Sequence, residues 1–160
     1  MKSAADPSLI MAKLEDGEDL FESLQKVVTE HRIESGTVLW GIGMVRDFEV
    51  GYFDGKQYHR KTFDRPHELL ALHGSIAARG DPVFHLHIAG ANEAHGVVGG
   101  HLFKATVSTL NEICLARLDR VRLGREISPR TGLRELVVEP AGPGAAPSQS
   151  RSRTPRSRRD

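Results

Sequence analysis

The sequence predicts an α/β fold of the α+β kind: a bent, mostly antiparallel sheet of roughly six to eight strands with one main amphipathic helix packed on it. Three observations predict it. Only Glu18 to Arg32 sets apolar residues at helical spacing, at Leu20, Phe21, Leu24, Val27 and Val28. Runs rich in β-branched and aromatic residues occupy most of the remaining chain as far as Glu139. Short polar or glycine-bearing segments such as Asp54-Gly55 separate those runs, and these suit hairpins better than long crossovers. One helix cannot cover such a sheet, which leaves an apolar face for another subunit to bury.

Ser8 to Glu15 alternates as a first strand, and Asp16-Gly17-Glu18-Asp19 then sets acidic groups over the positive end of the helix dipole. Gly36 to Gly43 and Met44 to Phe53 read as two strands of a meander, continued by Lys56 to Phe63. Gly41 and Gly43 flank Ile42 where the backbone needs positive φ or a close approach; no Lys-Ser/Thr follows to make a phosphate loop. After Pro66 comes a strand from His67 to Ala78, whose period places His67, Leu69, Ala71, His73 and Ser75 on one face. His67 and His73 then stand about 20 Å apart and cannot share one metal. Ala105 to Leu115 is strand-like, Leu118 to Leu133 reads as an irregular connection broken by Gly124, Pro129 and Gly132, and Arg134 to Glu139 closes the fold. Beyond it the composition turns to Pro, Gly, Ser, Ala and Arg without an aliphatic pattern, so the domain is expected over residues 1–140 and a disordered tail over 141–160.

Val83 to Leu102, reading VFHLHIAGANEAHGVVGGHL, carries four of the eight histidines. Phe84, Leu86 and Ile88 alternate with His85 and His87, so both imidazoles share the face opposite the core. Val97 to Phe103 reads as the returning strand of a hairpin with Gly90 to Gly96 as its loop. If Ala89 pairs with Val97, His85 lies opposite His101; a slide of two residues puts His87 there instead. Either register gathers His85, His87 and His101 on one side. Three neutral imidazoles suit zinc or another divalent transition metal, and a three-ligand set leaves a coordination position open. The competing reading is three hydrogen-bonded imidazoles in an oligomer interface. His73 can join them from a neighbouring strand, His95 falls in the loop, Glu112 is a conceivable acid or base, and Cys114 reads as a small packed residue.

These motifs carry a resemblance. HLHIAG and VVGGHL, with GEDLFESL, GIGMVRDFEVGYFD and TFDRPHELLALHGSIA upstream, resemble the plants and prokaryotes conserved (PPC) domain from about Leu9 to Pro140. The resemblance implies a PPC-like fold and a homotrimer. It also implies histidines at His85, His87 and His101, some relatives looking like metal binders, and a family association with DNA. Two functions follow as expectations: a homo-oligomeric interaction or regulatory module, or a metal-dependent enzyme or small-ligand binder using the open three-histidine site.

Charge decides where DNA could bind. The chain carries a net +1, but Arg151, Arg153, Arg156, Arg158 and Arg159 with Asp160 put +4 into the last ten residues, leaving −3 on residues 1–150. Phosphate neutralisation therefore falls to those five arginines and not to the body. The tail departs from an AT-hook, which needs Gly between its basic residues. No apolar run is long enough for a membrane span, the N-terminus lacks a signal-peptide core, and a single cysteine suits a reducing compartment, so a cytoplasmic setting is expected.

Overall fold

The computed structural model describes residues 1–6 and 8–141. Seven strands, β1 (Lys2–Asp6), β2 (Leu9–Glu15), β3 (Ser35–Phe53), β4 (Tyr58–Phe63), β5 (His67–Ala77), β6 (Phe84–Ala91) and β7 (Val97–Arg117), form an antiparallel sheet in the order β1-β2-β7-β6-β5-β3-β4. Because β3 also pairs with β7, the circuit β7-β6-β5-β3 closes on itself, which removes exposed edges from its middle. One helix, α1 (Leu20–Glu30), packs on β2 and β7, as an α+β fold requires. Asp19 caps it, its side chain accepting from the Glu22 N–H at 2.9 Å. Leu20 and Leu24 are fully buried in the core beside Ile10, Leu14, Ile113 and Leu115, contributing roughly 2 kcal/mol apiece.

Three expectations change in the structure. The two meander strands are one 19-residue strand, β3, and the strands expected around Phe103 and Ala105 are one 21-residue strand, β7. Bulges bend them without breaking them: the β3–β7 register shifts at Val38/Trp40, Gly43/Val45 and Arg46/Glu49. Gly43 stands at one such bend with φ 128, and fully buried Asn111 seals it by donating to the carbonyl oxygens of Met44 and Leu110.

A bulge also corrects the expected face of β5. The pairing with β6 shifts between Leu69 and Ala71, so one residue drops out of phase. His67 and Leu69 therefore face the core while His73 turns outward; His67 is buried and its Nδ1 sits 2.9 Å from the Arg65 carbonyl oxygen. Last, Leu118 to Leu133 is not irregular. It contains β8 (Val121–Ile127), which pairs with β9 (Arg134–Pro140) as a separate two-stranded sheet, Gly124 lying inside the ladder opposite Val137. Strand β1 was not expected from the sequence. Among the described residues no helix is long and apolar enough to cross a membrane. The tail arginines 151, 153, 156, 158 and 159 lie outside the described residues.

Candidate metal centre

Strand register builds the site. His87 pairs with His101, Ala89 with Gly99 and Ala91 with Val97, which is the second of the two in-phase registers. The loop shortens to five residues, 92–96, because Asn92 organises it: its Oδ1 accepts from the N–H groups of Ala94 and Gly96 at 3.0 and 2.9 Å. Phe84, Leu86 and Ile88 point into the core, so His85 and His87 must point out. Across five strands the pairings Arg60–Gly51, Gly51–His101, His101–His87 and His87–His73 form one continuous row.

One ring nitrogen from each of His85, His87 and His101 lies within 4.8 Å of the others. The Nε2 atoms of His85 and His87 are 3.2 Å apart, and the three ring centroids are separated by 4.9 to 5.5 Å. Tyr58 and Phe103 wall His101, at 5.0 and 4.7 Å between centroids, and the Arg60 guanidinium lies 3.6 Å over Phe103. Gly51 makes room for that wall, since a Cβ there would stand 2.7 Å from the Phe103 ring. Gly100 does the same for the backbone: its φ is 152, and a Cβ would meet the Gly51 carbonyl oxygen at 2.7 Å.

All three imidazoles are held in their neutral form. Burial among the other rings pushes His101 down to about 4, with the charges of His85, His87 and Arg60 adding to the effect. His85 is lowered by desolvation, then by His87 and Arg125; His87 by desolvation, then by His73. His85 and His87 keep solvent on one side while the neighbouring rings crowd the other. The Nδ1 of His101 is buried without a partner, and the two facing Nε2 lone pairs compete for a single proton. Such a donor set fits a divalent transition metal, which takes neutral imidazole nitrogens and needs no proton between them.

Other expected groups fall elsewhere. His73 stands opposite His87 but outside the converging nitrogens, so it flanks the set. His95 is an exposed loop residue, and Cys114 is buried. Glu112 pairs with Lys13 and Ile42, eleven residues along β7 from His101, and lines a different groove with Lys2 and Met11. A cleft of about 460 Å³ opens beside His85 and His87, lined also by Thr37, Leu39, His73 and Ser75. Sequence reasoning missed Tyr58, Phe103, Arg60 and Arg125. Phe103 was legible in principle, two residues after His101 and so on the same face; Arg125 was not, because its strand went unread.

Fold and site together define a class: small α+β domains whose partly closed antiparallel sheet carries a histidine trio on its outer face. The chain belongs to the Plants and Prokaryotes Conserved (PCC) domain family, whose model matches residues 1–119. It is 30% identical over 141 residues, 88% of its length, to the bifunctional protein GlmU of a Synechococcus strain. The chain spans about a fifth, 22% and 21%, of the length of the two GlmU proteins it matches. Among solved structures, a metal-containing protein from Archaeoglobus fulgidus is 28% identical with a TM-score of 0.73, covering 81% of this chain and 92% of that one. A candidate DNA-binding protein from Ralstonia eutropha is 25% identical with a TM-score of 0.76, covering 86% and 96%.

Proposed function

We propose that this chain is a homo-oligomeric interaction or regulatory module of the PCC family, built around a divalent transition metal, most simply zinc, held by His85, His87 and His101. The convergence of three ring nitrogens within 4.8 Å carries this reading. The Archaeoglobus relative, described as metal-containing, supports it. Three ligands would leave one position open toward the cleft, where the ion could act as a Lewis acid or anchor a ligand. That open position favours a second reading, a metal-dependent enzyme or small-ligand binder on the same residues. The test is metal analysis of protein purified without a histidine tag. One ion per chain is expected, lost in His87→Ala and kept in His95→Ala; a His87→Ala protein that retains stoichiometric metal refutes the site.

Self-association and DNA belong to the same proposal. Leu9, Met11, Trp40 and Ile42 face outward from β2 and β3 with 40 to 47% of their surface exposed, and Met11, Cys114 and Trp40 are in register across β2, β7 and β3. A second and third copy would bury this strip in a homotrimer. The Ralstonia relative, a candidate DNA-binding protein, motivates contact with DNA or another polyanion. That role would fall to Arg151, Arg153, Arg156, Arg158 and Arg159 in a tail expected at 141–160, since the rest of the chain is net −3. A cytoplasmic setting is part of the proposal.

A further inference from the structure

Three imidazoles bring no negative charge to a metal. None of the carboxylates joins the converging group among the described residues, so a divalent ion there would keep its full +2. Two arginines flank the site. Arg60 is matched, its Nη1 lying 3.0 Å from Glu49 Oε1. Arg125 is not. It is half-buried, and among the described residues no carboxylate comes within ion-pairing distance of it. Its Nη2 donates to Ser75 Oγ at 2.8 Å, while its Nε is buried with no acceptor at all. A half-buried guanidinium without a counter-charge is costly, and a structure that holds one in place is short of an anion.

The position is specific. Ser75 is the direct cross-strand partner of His85, so the guanidinium fixed on Ser75 stands on the same face as the histidine trio. The side-chain stem passes over Gly80, where a Cβ would come 2.7 Å from the Arg125 Cγ, so the glycine permits this path. Ser75, His85 and His87 also line the cleft, which is large enough for a small organic molecule. Arg125 itself comes from β8, in the hairpin beyond residue 119 where the family match ends.

We propose that Arg125 makes the three-histidine centre a receptor for a small oxyanion, a carboxylate or phosphate group, one oxygen taking the metal's open position while the guanidinium pairs with the group. The inference rests on the metal reading above. Charge complementarity and the forked donor geometry of arginine both select for such a ligand over a neutral one.

Cobalt(II) loaded into the full chain gives a visible spectrum that reports its ligands, and acetate, phosphate and neutral imidazole are the probes. Acetate or phosphate is expected to shift the cobalt bands with saturation, and Arg125→Gln to weaken that binding at least tenfold. Cobalt stoichiometry and imidazole binding should stay unchanged in that variant. Arg125→Lys, which keeps the charge but loses the fork, should retain an intermediate affinity, and this separates the charge from any loss of folding. The stronger of the acetate and phosphate responses identifies the group. Equal anion affinity in wild type and Arg125→Gln, with cobalt fully bound in both, overturns the role of Arg125. Failure of the wild type to bind cobalt at all overturns the metal reading instead.

Discussion

His101 should tie the stability of the metal-free protein to pH. Its folded value is depressed from 6.5 to about 4, mainly by burial, so between those limits the unfolded chain takes up the proton and the folded protein does not. Uptake by the unfolded state alone means that stability is at full strength above pH 6.5 and falls progressively as pH drops toward 4. At about 1.4 kcal/mol per unit the shift is worth on the order of 3 kcal/mol, and solvent reaching the part-exposed ring cuts this to roughly 1–2 kcal/mol. For a domain of this size that is a drop of roughly 2–8 °C in Tm. His85 and His87 are shifted in the same direction and add to the slope. The assay is thermal or urea unfolding in the presence of a chelator, at several pH values between 7 and 4.5, for wild type and His101→Gln. The variant lacks the titrating group, so its stability should fall less steeply, and the difference between the two curves isolates His101 from carboxylates that titrate near the lower end. Parallel curves, or an NMR titration of the His101 ring at or above 6.5, would refute the claim that its neighbours hold it neutral.

Three further outcomes are expected. Deleting residues 141–160 should remove salt-sensitive DNA binding measured across a salt series, because the arginines at 151, 153, 156, 158 and 159 are the concentrated positive charge; binding that survives deletion would place a basic surface on the body. The same truncated protein should run as a trimer in light scattering, and a stable monomer at micromolar concentration would count against burial of the strip at Leu9, Met11, Trp40 and Ile42. Gly100→Ala should cost on the order of 2 kcal/mol in chemical denaturation, since its φ of 152 and the Gly51 oxygen at 2.7 Å leave no place for a Cβ; a neutral effect would mean the β3 and β7 backbones separate freely there.

Alternation made the inner half of the site legible. Once Phe84, Leu86 and Ile88 are assigned to the core, His85 and His87 have only one place to go, and a hairpin in phase brings His101 to the same side. What alternation could not choose was between two registers differing by two residues, because both keep every side chain on its proper face. Asn92 makes the choice through its two backbone contacts, a local hydrogen-bonding preference that hydrophobic pattern does not encode. Bulges defeat pattern reading more thoroughly. One residue inserted between Leu69 and Ala71 turns His67 inward and His73 outward, although the sequence spacing puts them on one face.

The strand that supplies Arg125 shows why the rest was hidden. Val121 and Leu123 start an alternation, but Gly124 and Arg125 follow where a strand is expected to continue with apolar residues, and only Leu123 of this strand is buried. Strand β9 opposite it is almost wholly exposed, Leu136 and Val138 included, so burial does little to hold this hairpin together. Its ladder is held instead by backbone pairing from Val121–Pro140 to Ile127–Arg134 and by the Ser35 hydroxyl, which accepts the Leu123 N–H at 2.9 Å. Backbone pairing is nearly independent of side-chain identity, which leaves the side chains of such a hairpin free to vary with what they must meet. In this chain the one that reaches the histidine face is a guanidinium resting on Ser75, and a neutral side chain at position 125 should leave the same fold with a centre that holds anions less tightly.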